Sequence, residues 1–410
     1  MIVVEAQEHT VNRKRSENSV RILHFVGRVR LLLTLGAVVA LLLSGLAEIG
    51  AQTGTGYTSY LPLFSNPSVT QLNLPLFLSD APVDGAGLGV SGPVIASALS
   101  MLPAPGWVTS QGEQLMVDGS PFAFVGTNVS YLAGPFFPED RMAGVMAQLA
   151  ESGVTVVRVW VEPWCDLTRL GRLLDLGRFH GIRFILTLQD FYGQTNGDWF
   201  RGRYERVDLP HIRTIVPMFA DRPEILMWEL MNEPVCLWND AEQDCWDALI
   251  VWAQVTSTEI KRLDSRHLIS AGTLDARFDA RAQDAFRRIH ALDTIDVVSV
   301  HRKVGGLPTL EMAIAHELGK PIFFGEIHAP GHDESCQPLP NGALERRAAE
   351  VAADWNRSRV AGVDGYLLWQ YAYGPVDMGS HTQYFCGILD YYSDDPVWEL
   401  LRAETGETRT

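Results

Sequence analysis

The stretch Ile225–Pro234, ILMWELMNEP, is an apolar run that holds two glutamates four residues apart and stops at a proline. Read as a β-strand, it places Ile225, Met227, Glu229, Met231 and Glu233 on one face and Leu226, Trp228 and Leu230 on the other. Seven further runs of the same kind accompany it: FAFVGTN from Phe122, TVVRVWV from Thr155, RFILTLQ from Arg183, HLISAG from His267, DVVSVH from Asp296, PIFFGE from Pro321 and GYLLWQ from Gly365. Helical patterns such as RMAGVMAQLAESG, LGRLLDLGRFHG, WDALIVWAQVTSTEIKRLD and ALERRAAEVAADWNRSRVAG lie between them, several closed by the glycine expected after a helix C-terminus. Eight such alternations in roughly 300 residues predict an α/β fold, a parallel (β/α)8 TIM barrel, over an open doubly wound sheet. Ahead of the first strand, LMVDGSPF is expected to form a hairpin on Asp118-Gly119 that closes the barrel floor.

The remaining sequence divides into a leader and a spacer. Arg13, Lys14, Arg15, Arg21, Arg28 and Arg30 precede the uncharged run Leu31–Ala47, with Gly45, Ala47 and Ala51 as small residues near its end. Residues 1–51 are therefore expected to be a signal peptide or signal anchor, leaving the rest of the chain secreted or facing outward from a membrane or cell-surface tether. Residues 52–106 are rich in Gly, Pro and Ser, hold a weak repeat (YLPLF at Tyr60, NLPLF at Asn73), and are expected to be a linker. The catalytic barrel is expected over residues 107–405.

A net charge of −16 repels polyanions at long range, so nucleic acid is not an expected partner and a neutral substrate fits better. Eleven tryptophans offer flat apolar faces suited to sugar rings, although most are expected in the core. No C-x-x-C, H-E-x-x-H or phosphate-binding glycine motif follows a strand, so no metal or cofactor is expected. Five cysteines in an oxidising compartment leave at least one unpaired. The expected bridges are Cys236–Cys245, within one loop, and Cys336–Cys386, with Cys165 free.

In a (β/α)8 barrel the active site is built at the C-terminal ends of the strands. That rule selects Asn128, Arg158, Trp160, Gln189 or Asp190, Asn232, Glu233, His301, Glu326 and Trp369. Glu233 then sits at the mouth, with Glu229 roughly 13 Å deeper at the rise of an extended chain. Two carboxyls so far apart cannot flank one glycosidic bond, which needs a separation of about 5 to 9.5 Å. Glu326 supplies the partner: with Ile322 and Phe324 taken as sharing its inward face, it reaches the mouth across the barrel from Glu233. Arg158 with Trp160, Ser299 with His301, and Leu367 with Trp369 are also expected to point inward. An arginine near Glu326 would keep that carboxylate ionised, while a drier site would keep Glu233 protonated. Alternatively, Arg158 pairs with the buried Glu229, which needs a partner if this strand register is correct. Asn232 is out of phase with Glu233, and a bulge or turn before Pro234 is required to bring both to the site.

WELMNEP followed by a cysteine, VSVH, PIFFGE and GYLLWQ, spaced over eight strands, resemble the family 5 glycoside hydrolases and most closely their endo-β-1,4-mannanases. The likeness spans about residues 107–402 and includes DGSPFAFVGTNVSYL at the first strand. It implies a retaining enzyme with Glu233 as general acid/base and Glu326 as nucleophile. It further implies that Asn232 binds the sugar 2-hydroxyl, that Arg158 and His301 organise the site around Glu326, and that Trp369 forms the floor under the reacting sugar. Asn128 and Trp160 complete the set of substrate-side residues. One departure stands out: the family commonly has a tyrosine two residues after the sixth-strand histidine, bonded to the nucleophile, where this chain has Lys303. Tyr371 and Tyr373 are the candidates to replace it.

The expected function is hydrolysis of β-1,4 bonds in mannan or a related hemicellulose, by a monomer acting on a polysaccharide. Trp164, Trp199, Phe200 and Trp238 are candidate stacking subsites. The alternatives are a β-glucanase or exo-β-mannosidase of the same family, and a non-catalytic carbohydrate-binding barrel.

Overall fold

The computed structural model describes residues 105–371 apart from 136, 191–197, 237–242, 274–275, 278, 330 and 332–338, together with 396–397, 399 and four short strands outside that range. Eight parallel strands form one sheet: β1 Phe124–Asn128, β2 Val156–Trp160, β3 Arg183–Thr187, β4 Ile225–Glu229, β5 Leu268–Ser270, β6 Val298–Lys303, β7 Ile322–His328 and β8 Gly365–Trp369. Their order, β5-β4-β3-β2-β1-β8-β7-β6, closes through a parallel bridge between Ser270 and Val297. This is the (β/α)8 barrel that the eight runs predict.

Between the strands lie α1 Glu139–Glu151, α2 Leu167–His180, α3 Tyr204–Phe219, α4 Gln243–Leu263, α5 Ala280–His290, α6 Thr309–Leu318 and α7 Asn341–Val360. Their ends follow local chemistry. Asp166 accepts from the backbone N–H groups of Thr168 and Arg169 at the start of α2, and Asp279 does the same for Arg281 and Ala282 at the start of α5. Gly181 ends α2 in the left-handed conformation. The helices pack on the outer face of the strands, so β1–β5 are buried throughout and read as nearly continuous apolar runs.

Inside the barrel, Phe124, Val156, Ile185, Met227, Leu268, Val297, Phe323 and Leu367 form an apolar layer. Val108, from the strand Val108–Gln111, and Leu115, from the hairpin that follows it, join it from below. That hairpin pairs Gln114–Val117 with Ser120–Pro121 across Asp118-Gly119, whose φ values of 51° and 77° are those of a type I′ turn. It is the floor element expected from LMVDGSPF.

Two strands depart from strict alternation. In β4 the register with β3 slips after Phe184, pairing Ile225 with Phe184 but Met227 with Ile185. Leu226 therefore joins the inner layer while Ile225 packs outward, the reverse of the sequence expectation. Met231, also expected inward, packs with the outer cluster beside Leu230. In β7, Val300 pairs with Phe324 but His301 with Glu326, so Gly325 is an extra residue. Phe323 faces inward, and Ile322 and Phe324 face outward, again opposite to expectation. The bulge restores the inward phase at Glu326. Gly325 is a glycine because a Cβ there would lie 2.8 Å from His301 Nε2.

Cys236 and Cys245 are disulfide-bonded, as expected, and Cys165 is free and buried. Cys245 lies in the first turn of α4 rather than in a loop, so the bridge ties the segment after Pro234 to that helix. Cys336 and Cys386 lie outside the described residues, as does the apolar run Leu31–Ala47. Among the described residues no helix is long and apolar enough to cross a membrane. The chain divides into the units Met1–Gly89 and Val90–Thr410. In the first, Gly56–Leu63 pairs antiparallel with Leu72–Ser79, setting the two repeats opposite each other with Leu61 against Leu74.

At the floor, Asp364 accepts from Leu115 N at 3.1 Å, and burial pushes its pKa up to about 7. The folded protein thus keeps this proton to about pH 7, whereas the unfolded chain releases it near pH 4. The folded state gains from this group at low pH and loses that gain as pH rises through 7. In urea titrations between pH 5 and 8.5, Asp364→Asn is expected to gain stability relative to the parent as pH rises.

Candidate active site

Above the apolar layer lies a layer of polar side chains arranged around Arg158, which is fully buried. Its Nε donates to Glu229 Oε1 at 2.6 Å. Its Nη1 donates to Glu326 Oε1 at 2.8 Å and to Asn128 Oδ1 at 3.0 Å, and Nη2 donates to Asn232 Oδ1 at 2.9 Å. The guanidinium carbon stands 4.4 Å from the Trp160 ring centre. The alternatives from the sequence, a partner for Glu229 or a neighbour for Glu326, are therefore both realised by one side chain. Burial pushes the guanidinium pKa down, but the charges of Glu229 and Glu326 outweigh it and raise the pKa overall.

Glu229 is fully buried and fully partnered. Thr187 Oγ1 donates to its Oε1 at 3.0 Å and Ser270 Oγ to its Oε2 at 2.9 Å, in addition to Arg158. This is the partnered acid that the register of β4 requires at this position.

At the end of β4 the chain leaves the ladder. Asn232 bridges to Asp190 beyond β3, and Glu233 has φ 51°, a conformation uncommon for a non-glycine residue. Glu233 N donates to Gly272 O at 2.8 Å, which fixes that turn. The turn required by the phase of Asn232 is thus present, and both residues reach the site. Asn232 is held at both ends of its amide: Oδ1 accepts from Arg158, and Nδ2 donates to Asp190 Oδ1 at 3.1 Å.

His301 stands between the two mouth carboxylates, its Nδ1 3.0 Å from Glu233 Oε1 and 3.6 Å from Glu326 Oε1. One ligating atom from each of Glu233, His301 and Glu326 falls within 4.8 Å of the others. These three could offer atoms to a metal ion, but Arg158 already occupies Glu326 Oε1, so the arrangement fits a pair of facing acids. The buried His301 Nε2 has no hydrogen-bond partner and lies against Gly325. With hydrogen on Nδ1, Nε2 is left only as an unmatched acceptor.

Trp369 is half-buried at the end of β8, its ring 5.8 Å from Trp160 edge-on and 5.8 Å from His328 in a stacked arrangement. Asn128 Nδ2 donates to Gly325 O at 2.9 Å, bracing the β7 bulge from β1. The structure therefore gathers Asn128, Arg158, Trp160, Asn232, Glu233, His301, Glu326 and Trp369 at one mouth.

Some candidates lie elsewhere. Gln189 is turned away, donating to Asp208 Oδ1 at 3.0 Å, so Asp190 is the member of that pair that touches the site. Trp199 and Phe200 are buried in the outer core, Phe200 against Trp252, and are not exposed stacking surfaces. Trp164 packs beside Tyr131 with ring centres 5.8 Å apart. Trp238 and Tyr373 lie outside the described residues. The Tyr371 hydroxyl donates to Gln148 Oε1 at 2.8 Å, and Lys303 is exposed.

Two features were not legible from the sequence. Glu162, just past β2, is pushed up to about 7 by burial and by the charges of Asp190 and Asp208. His328 Nε2 lies 3.4 Å from Glu326 Oε2. The inward phase after the bulge would have pointed to His328, two residues beyond Glu326.

Residues 187–327 match the model of the glycoside hydrolase family 5 β-mannosidase-like group. A probable mannan endo-1,4-β-mannosidase A of Aspergillus flavus is 25% identical, covering 71% of this chain and 88% of the relative. A mannan endo-1,4-β-mannosidase F of Aspergillus fumigatus is 23% identical over 90% of this chain and all of its own length. Among solved structures, an endo-1,4-β-mannanase of Rhizomucor miehei superposes with a TM-score of 0.57 at 19% identity, covering 74% of this chain and 99% of that one.

Removing Arg158 alone strands Glu229 as an unpaired buried charge. Arg158→Met is expected to cost about 3–5 kcal/mol by urea unfolding, and Arg158→Met with Glu229→Met to recover most of that loss.

Proposed function

We propose that this chain, a glycoside hydrolase akin to family 5, cleaves β-1,4 bonds of mannan-type polysaccharide with retention, through a covalent glycosyl-enzyme. The observation that carries this is the pair Glu233 and Glu326 at the barrel mouth, with ligating oxygens within 4.8 Å of each other. Facing oxygens no more than 4.8 Å apart fall short of the separation of about 6.5–9.5 Å that an inverting enzyme needs to admit a water, and suit direct attack on the sugar. The mannanase relatives support mannan as the substrate class.

Glu326 is the nucleophile. The Arg158 guanidinium at 2.8 Å favours the negative charge there over Glu233, which faces the His301 imidazole instead. Glu233 is the general acid, giving its proton to the departing glycosidic oxygen, and then the base that takes a proton from water in the second step. Asn232, with Oδ1 held by Arg158 and one Nδ2 hydrogen by Asp190, has its other Nδ2 hydrogen to donate to the 2-hydroxyl. Trp369, stacked against His328, gives the sugar ring its apolar face. Secretion, or display from a tether, follows from the basic and apolar N-terminal sequence.

The test is product release from galactomannan, glucomannan, cellulose and xylan, with Glu233→Gln and Glu326→Gln beside the parent. The parent is expected to release short manno-oligosaccharides of mixed length from the two mannans. Each variant is expected to lose about three orders of magnitude or more in kcat, and azide is expected to rescue Glu233→Gln on an activated aryl glycoside. Equal residual activity in both variants would reject these roles. Release of mannose alone would assign exo action, and glycan binding without product would assign a binding barrel.

A further inference from the structure

The two oxygens of Glu326 have different surroundings. Oε1 accepts from Arg158 at 2.8 Å and lies 3.6 Å from His301. Oε2 faces His328 Nε2 at 3.4 Å. His328 is two residues further along β7, on the same face, with Ile327 between them packed into the outer core. Its register neighbours are Lys303 on β6 and Trp369 on β8, and its ring stacks on Trp369 with an interplanar angle of 24°. The side chain is 43% exposed, so it opens onto the mouth. Among the described residues, the charged groups set beside it by contact or strand register are Glu326 on its own strand and Lys303 on the next.

We propose that His328 is a positioning residue that holds Glu326 Oε2, the oxygen that bonds to the sugar, through an Nε2–H donor; this rests on the covalent mechanism above. A carboxylate oxygen only accepts, so the proposed contact is made by the tautomer with hydrogen on Nε2. Oε1 is engaged by the guanidinium, which leaves Oε2 to attack. The position two residues after the sixth-strand histidine, from which a tyrosine would reach the nucleophile, is Lys303, which is exposed, and the Tyr371 hydroxyl is bonded to Gln148. His328 supplies from β7 the donor that β6 lacks.

The consequence is specific to one half of the reaction. In the first step Oε2 bonds to the anomeric carbon as the glycosidic bond breaks, and the Glu233 proton passes to the leaving oxygen. In the second, water adds to the anomeric carbon, Glu233 takes its proton, and the electron pair of the ester bond returns to Oε2. A donor on Oε2 stabilises the free carboxylate relative to the ester. It restrains attack and assists departure, and its loss lengthens the life of the glycosyl-enzyme.

Two substitutions in the full chain separate this from stacking. His328→Phe keeps a ring against Trp369 without a donor, and His328→Gln keeps a donor without the ring. With a 2,4-dinitrophenyl β-mannobioside in stopped flow, His328→Phe is expected to slow deglycosylation about 10- to 100-fold. It is also expected to lower KM together with kcat and to release close to one dinitrophenolate per enzyme in the burst. His328→Gln is expected to stay within about threefold of the parent. Parent-like kinetics in His328→Phe, equal loss in both variants, or a raised KM at unchanged kcat would overturn the inference. Labelling of the parent with a 2-deoxy-2-fluoro aryl mannoside and peptide mapping is the control. If Glu326 is not labelled, the mechanism and the inference fall together; if it is, the outcome bears on His328 alone.

Discussion

A single guanidinium organises this molecule. Arg158 comes from β2 and reaches Asn128 at the end of β1, Glu229 and Asn232 on and beyond β4, and Glu326 on β7. A buried arginine is tolerable only when its donors are matched, and here the acceptors are drawn from three other strands. The same bonds therefore fix the relative heights of those strands and the relative positions of the mouth residues. Below this plane the barrel is apolar and tolerant of volume-conserving change; above it, each side chain is committed by its neighbours. The division also explains Glu229, whose charge balances Arg158 from below and leaves the upper face of the guanidinium to serve Glu326.

The mouth is chemically lopsided. On the β2–β3 side Glu162 and Asp190 crowd together, raising the Glu162 pKa to about 7 and the Tyr131 pKa to about 12, chiefly through burial in both cases. On the β6–β8 side stand two imidazoles, His301 and His328, and two indoles, Trp160 and Trp369, the first reaching in from β2. Glu326 meets the Arg158 guanidinium at 2.8 Å, and His301 stands between it and Glu233.

Most of the barrel could be read from the chain because a strand buried on both faces leaves a local record: a short apolar run, a break, and a helix pattern. The floor hairpin was equally local, since Asp118-Gly119 announces its own turn. The side chains gathered at the mouth were legible from their place at strand ends. Failure came where geometry is decided by neighbours. Alternation predicts Ile322 and Phe324 inward, yet Gly325 is an extra residue in the pairing with β6, where His301 leaves no room for a side chain, a contact with no sequence signal. Glu326 was placed correctly only because the bulge corrects the phase error made below it. Thr187, Ser270 and Glu162 were missed because the groups they meet lie on other elements, and His328 because the β7 run was read only as far as Glu326.

The β7 bulge also bears on how this barrel can diverge. On either side of Gly325 the strand exchanges its two surfaces, so neighbouring codons address different compartments: Phe323 fills the interior, Phe324 sits beneath the Arg302 guanidinium at 4.4 Å on the helix side, and Glu326 returns to the cavity. A homologue without the extra residue would present its acid to the helices unless the shift were absorbed elsewhere. Libraries or alignments that step through β7 with a fixed two-residue stride would mix shell and cavity positions. Those that change stride at Gly325 keep them apart.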